Sequence, residues 1–303
     1  MQSKVCISKK CILVAVIITI VISVLLLLSQ AVLSKKGGYK SRASEVNDTS
    51  HIIGGTPVID PKKYPFFVVI SVNTGNREIL CGGTLIGEKW VVSAYHCVEE
   101  DGKIYPPSNV TVLVDVVDGH LTRSYSVKNI IPYESGTPTK INNKIFGLLN
   151  NYLILHDIVL IELNESIIDR RPALLASSNT QVPSDAIIIG IGDTGKKSFD
   201  INSFAVNEAP LRLETPPDTY VPNIIYGQKI IDKFYYSSYN IFNTSIGGGD
   251  SGGPLLAIID GKPYVIGIIK SSSGSNASFF LKTSYYTHWL NYKMDNRNYL
   301  EGR

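Results

Sequence analysis

The chain has 303 residues, enough for one or two domains with a buried core. A net charge of +3, with 18% charged and 9% aromatic residues, is an ordinary globular balance and excludes a disordered acidic or basic tail. No Lys/Arg-dense block follows residue 42, so nucleic acid is not an expected partner, and no metal cluster or nucleotide loop stands out, so neither metal nor cofactor is expected.

The N-terminus is the first informative element. Residues 11–28 are apolar except for Thr19 and Ser23. A helix of that length rises about 27 Å, close to the roughly 30 Å hydrocarbon layer of a bilayer. Lysines precede the run (Lys4, Lys9, Lys10), and Lys35, Lys36, Lys40 and Arg42 follow it. Residues 1–33 therefore read either as an uncleaved signal-anchor, with the membrane as partner through residues 11–33, or as a signal peptide removed near 29–34. Both readings send the rest of the chain into the secretory lumen, anchored or secreted. Residues 34–51 are polar and read as a linker or propeptide.

Cysteine usage fits export. Cys6 and Cys11 lie before or at the edge of the apolar run, leaving only Cys81 and Cys97 beyond it, which reads as one disulfide in an oxidising compartment. Sequons at Asn47, Asn109, Asn164, Asn243 and Asn276 are candidate glycosylation sites.

From Ile52 onward short apolar runs recur at 66–72, 84–86, 90–93, 110–117, 158–163, 186–191 and 264–269, punctuated by Gly, Pro, Asn and Asp. They favour β-branched residues and are too short for helices, which predicts an all-β sandwich or barrel. Residues 132–153 read as a long surface loop, and 284–294 as a closing helix.

The segment Gly247-Gly248-Gly249-Asp250-Ser251-Gly252-Gly253-Pro254-Leu255 surrounds a serine with glycines, which lets tight backbone aim N–H groups at a substrate carbonyl. Together with Ser93-Ala94-Tyr95-His96-Cys97, His156-Asp157-Ile158-Val159-Leu160-Ile161, Ile52-Ile53-Gly54-Gly55 and Cys81-Gly82-Gly83-Thr84-Leu85-Ile86, it resembles the motifs of the chymotrypsin/trypsin-like serine proteases, in that family's order. The resemblance covers about residues 52 to 292. It implies two packed antiparallel β-barrels, about 52–165 and 166–283, within a protease domain spanning 52–303, and hydrolysis of protein or peptide substrates. It assigns Ser251 as nucleophile, His96 as base, Asp157 as the residue orienting the base, and the N–H groups of Gly249 and Ser251 as the oxyanion hole. Cys81 and Cys97 would brace the loop carrying His96. A catalytically silent protease-fold binding module at the cell surface is the alternative.

The resemblance also implies a zymogen. An activating protease would cut before Ile52, whose new α-ammonium would pair with Asp250. His51 stands where Arg or Lys is usual, which argues against a basic-specific activator. Counting back from the nucleophile puts Ser245 at the base of the specificity pocket, with Ser272 and Ser278 on its wall, so an uncharged preference is expected rather than Arg or Lys. Lys270 departs from the pattern. Either the alignment slips by one and Ser271 is the match, or Lys270 sits close to Asp157.

Overall fold

The computed structural model describes residues 52, 54–60, 62–117, 120–133, 156–192, 205–215, 233–238, 244–273 and 277–301. The apolar run, the linker, His51, Asn47, Asn243, Asn276 and nearly all of the 132–153 loop lie outside the described residues.

The first half carries β1 (Thr56–Pro57), β2 (Phe67–Asn73), β3 (Glu78–Gly87), β4 (Trp90–Ser93), β5 (Glu99–Glu100), β6 (Lys103–Ile104), β7 (Val110–Val117), β8 (His120–Pro132) and β9 (Val159–Leu163). The second carries β10 (Leu174–Leu175), β11 (Asp185–Gly190), β12 (Asn207–Arg212), β13 (Phe234–Ser238), β14 (Pro254–Ile259), β15 (Lys262–Ser273), β16 (Ala277–Lys282) and the helix α1 (Thr283–Glu301). Strands β2-β3-β4-β9-β8-β7 close into an antiparallel barrel. The second half forms an eight-stranded sheet in the order β1-β12-β11-β14-β15-β16-β13, with β10 added parallel to β15. The expected pair of barrels is thus a closed barrel and a second sheet whose hydrogen-bond path stays open among the described residues. The helix runs beyond the expected 284–294, because no Gly or Pro interrupts the chain before Gly302.

Continuous apolar runs arise here because strands are buried on both faces. In β9, Val159, Ile161 and Leu163 point into the barrel core. Ile158 and Leu160 pack instead with Trp90 and Val92 of β4, Ile268 of β15, Leu281 of β16 and Tyr286 and Leu290 of α1. The strand period of two divides one sequence run between two cores, so β9 lies at the seam between the halves. Burial of each such Ile, Leu or Val side chain is worth about 1.5–3 kcal/mol. That seam fixes the strand ends from which the chemically interesting residues hang.

Candidate active site

Strand register brings the first two residues together. β4 pairs antiparallel with β9, with Ser93 opposite Val159. His96, in the short 3-10 turn Tyr95–Cys97 just after β4, and Asp157, just before β9, therefore emerge at the same end of the pair. The contact is double. The backbone N–H of His96 donates to Asp157 Oδ1 at 2.9 Å, and the ring Nδ1 lies 2.8 Å from Oδ2. An ionised carboxylate only accepts, so Nδ1 carries the proton and Nε2 is left as the acceptor facing away. Asp157 is 1% exposed, whereas the His96 side chain keeps 34% of its surface.

The glycine-rich segment reaches the same place from the second half. Its backbone is stitched to β15 by Gly252 N–H to Ile269 O (2.8 Å) and Ile269 N–H to Gly253 O (2.9 Å). It is stitched to β3 by Gly82 N–H to Ser251 O (2.8 Å). Ser251 O also lies 3.8 Å from Cys97 Sγ, which places Ser251 beside the turn that carries His96. Glycine is required at two points of this segment. Gly249 has φ +90°, a region that side chains disfavour. A Cβ on Gly252 (φ +81°) would meet Ser93 Oγ at 2.1 Å and Gly82 O at 2.4 Å. Ser93 Oγ donates to that same Gly82 O at 2.7 Å, so the loops interlock around one carbonyl. Cys81 and Cys97 are joined by the expected disulfide, tying β3 to the His96 turn.

Asp250 is fully buried, and its carboxylate accepts N–H groups from Gly192 (Oδ1) and Gly247 (Oδ2), each at 2.7 Å. Burial pushes its carboxyl up to about 7, against the opposing pull of those two backbone donors. Ile52 is also fully buried, packed with Ile188, Leu211 and Ile246.

The Lys270 question has a structural answer. The β15–β16 register shifts between Ile269 and Ser271, so Lys270 is the extra residue of a β-bulge. Its Nζ lies 3.4 Å from Asp157 Oδ2, with the Lys270 side chain only 11% exposed. Burial opposes the charge on Asp157, but His96 and Lys270 together hold its carboxyl well below the usual range. For His96, burial disfavours the imidazolium and Asp157 favours it more strongly, with Lys270 opposing and Glu99 assisting. The net is a raised pKa.

Two of the three predicted pocket residues are strand neighbours. Ser278 is buried on β16, paired in register with Ser272 on one side and Ser237 on the other. Ser245 is half-buried, between buried Thr244, whose hydroxyl donates to Pro210 O at 2.7 Å, and buried Ile246. Sequence reasoning passed over Ile246, and also Gly82, whose Cβ would lie 2.6 Å from Gly253 Cα. The Cys-Gly-Gly motif was the signal for that close approach. Of the candidate glycosylation sites, Asn164 is exposed, while Asn109 Nδ2 donates to Asn73 O at 2.8 Å.

A closed antiparallel barrel packed on a second sheet, ending in a helix and carrying its polar loops at the seam, defines the chymotrypsin-type fold. Residues 52–290 match the family model described as Trypsin, and the chain belongs to that family. Coagulation factor IX of Oryctolagus cuniculus is 24% identical over 265 residues, covering 84% of this chain and 88% of its own length. Chymotrypsin-like elastase family member 1 of Bos taurus is 26% identical over 268 residues, covering 80% of this chain and 89% of its own. The human protein of the same name is 26% identical over 269 residues, covering 80% and 92%. The chain is accordingly a serine-type endopeptidase, a hydrolase acting on protein or peptide substrates.

Proposed function

We propose that this endopeptidase works through Ser251, His96 and Asp157, by the acyl-enzyme route open to a serine, an imidazole and a carboxylate acting in series. The observation that carries the proposal is the two-point bond between His96 and Asp157, which leaves Nε2 unprotonated beside the loop that bears Ser251. In the forward step Ser251 Oγ attacks the scissile carbonyl carbon while His96 Nε2 takes the hydroxyl proton. The carbonyl oxygen becomes an oxyanion, received by the N–H groups of Gly249 and Ser251. Among the described residues no backbone carbonyl takes either N–H. Collapse expels the amine, which receives the proton from His96 and leaves an acyl group on Ser251. Water, deprotonated by the same imidazole, then releases the acid. Asp157 stays ionised throughout and stabilises the imidazolium.

The same reading includes activation. A cut before Ile52 frees an α-ammonium that pairs with Asp250, replacing an uncompensated buried carboxylate with an ion pair. The activator is a protease that accepts His51. In this reading the pocket is lined by Ser245, Ser272 and Ser278, without a carboxylate to compensate Arg or Lys, which favours small or medium uncharged groups. The disulfide, the sequons and the apolar N-terminal run support export, as a membrane-anchored or secreted enzyme. No helix among the described residues is long and apolar enough to cross a membrane, and residues 11–28 are not among them.

The test is labelling with a fluorophosphonate probe after cleavage before Ile52, with Ser251→Ala as control. Labelling of the parent and not of the variant is expected. Labelling independent of Ser251 would overturn the triad, and absence of labelling would favour the silent binding module.

A further inference from the structure

Lys270 is a costly residue to place where it is. A lysine side chain 11% exposed, at the apex of a bulge in a strand otherwise packed with Ile266, Ile268 and Ile269, loses hydration and rotamer freedom. Its counter-charge is Asp157, at 3.4 Å from Nζ to Oδ2. That is the same oxygen that faces His96 Nδ1 at 2.8 Å, so one carboxylate oxygen is shared between an imidazole from the barrel and an ammonium from the second sheet. Lys270 stands two residues beyond Ile268, which packs with Ile158 next to Asp157, and it falls where the β15–β16 register shifts between Ile269 and Ser271.

We propose that Lys270 is a positioning residue for the triad: its ammonium, seated on Asp157 Oδ2 from across the seam, keeps that carboxylate aimed at His96 and keeps the base neutral to lower pH than a neutral residue would. This rests on the triad reading given above and deepens it.

The charges facing His96 come from four places. Asp157 before β9 favours the imidazolium, and Glu99 on β5 does so more weakly. Lys270 on β15 opposes it. Tyr95, in the same turn as His96, has its hydroxyl held neutral by burial and by Glu99 and Asp157. Glu99 spends part of its charge on the Gly102 N–H, 2.7 Å from Oε2. Lys270 is therefore the one cation in this set, and its removal moves the balance in one direction only. Asp157 loses a partner but keeps both bonds from His96, so the carboxylate stays ionised and its full charge falls on the imidazole. The His96 pKa rises, and activity, which needs neutral His96, begins at higher pH. A unit charge acting on the imidazole from the far side of Asp157 in a partly buried site is worth a displacement of about one pH unit.

The experiment compares the full chain, cleaved before Ile52, with its Lys270→Met, Lys270→Ser and Lys270→Arg variants. The first reading is the pH dependence of kcat/KM on a neutral peptide substrate. The second is the titration of the His96 imidazole by NMR in the uncleaved chain, assigned with His96→Gln. Expected is an acid limb and an imidazole midpoint both about one pH unit higher in Lys270→Met and Lys270→Ser, with Lys270→Arg within about 0.3 unit of the parent. Lys270→Ser retains a hydroxyl able to bond Asp157, so it separates loss of charge from loss of a hydrogen-bond donor. An unmoved midpoint in a folded Lys270→Ser or Lys270→Met chain overturns the proposal, as does a plateau loss without a limb shift, which would mark Lys270 as packing only. If a variant does not fold, Lys270→Arg still decides: a limb displaced by about one unit despite the retained charge removes charge as the cause. A parent chain that shows no Ser251-dependent labelling defeats the triad reading itself, an outcome distinct from an unmoved His96 titration.

Discussion

The buried Asp250 carboxylate makes stability depend on pH in a way that can be worked out from its surroundings. Burial moves its carboxyl from 3.8 to about 7, and the side chain is fully buried, so solvent screening does not dilute the effect. Because the folded pKa is raised, the contribution is complete below about pH 4, falls as pH rises and is exhausted above about pH 7. Three pH units at about 1.4 kcal/mol each give a loss of about 4 kcal/mol across that window, a large share of the 5–15 kcal/mol typical of a domain. The perturbation is Asp250→Asn in the uncleaved chain, in a Ser251→Ala background to prevent self-cleavage. Asparagine offers one carbonyl acceptor where the carboxylate serves two N–H groups, so the absolute level is expected to drop somewhat. The slope is the informative quantity. Urea unfolding at pH 5 and pH 7 should show the parent losing about 2–3 kcal/mol more than the variant over that interval. Cleavage before Ile52 should flatten the parent's slope, because the new ammonium neutralises the same charge. Parallel slopes in parent and Asp250→Asn would refute the reasoning, and a slope unaffected by cleavage would refute the pairing with Ile52.

Three further outcomes follow from local geometry. Gly252→Ala drives a Cβ into Ser93 Oγ and Gly82 O, so it should cost about 3 kcal/mol or more, read by chemical denaturation, and abolish Ser251 labelling. Replacing Cys81 and Cys97 together by Ala opens a loop of 16 residues and should lower stability by about 3 kcal/mol, with activity lost on heating earlier than in the parent. Ser245→Asp puts a carboxylate in the pocket and should raise kcat/KM for an Arg substrate about ten- to hundredfold while lowering it for neutral ones. No change in that ratio would move the pocket base away from Ser245.

Much of this fold was legible because chemistry and strand ends coincide in the chain. The run at 158–163 could be read as a strand from its Ile, Val and Leu content, and Asp157 sits just before it begins to pair; the run at 90–93 places His96 just beyond it in the same manner. What no run could show is which face each residue takes when both faces are buried, since the alternation that would reveal it vanishes from the sequence. The position of Lys270 was undecidable for a related reason. Its place beside Asp157 depends on how β15 of the second sheet meets the start of β9 in the barrel, a contact between segments 113 residues apart. The helix end was misplaced because residues 295–301 carry too few apolar side chains to signal a helix, yet nothing in them breaks one. Ile246 escaped notice because its burial comes from Ile188, Leu211 and Ile52, all distant in sequence.

The site draws its residues from both halves of the domain, and this has a consequence for how they should behave. His96 and Asp157 are set by the β4–β9 register alone, whereas Ser251 is set by β15 on one side and by Gly82 of β3 on the other. Lys270 crosses the seam in the same direction, from β15 of the second sheet to Asp157 of the barrel. A change that loosens the seam therefore alters the distance between Ser251 and His96 and the charge acting on His96 together. Substitutions at Gly252, at Lys270 and at the Cys81–Cys97 bridge should then be non-additive in activity, as expected for residues sharing one network within a few ångströms. In stability they should be closer to additive, since the clash at Gly252, the loop entropy of the disulfide and the buried charge at Lys270 are separate causes. Coupling in rate without coupling in folding is the signature that distinguishes a shared catalytic geometry from a merely shared core.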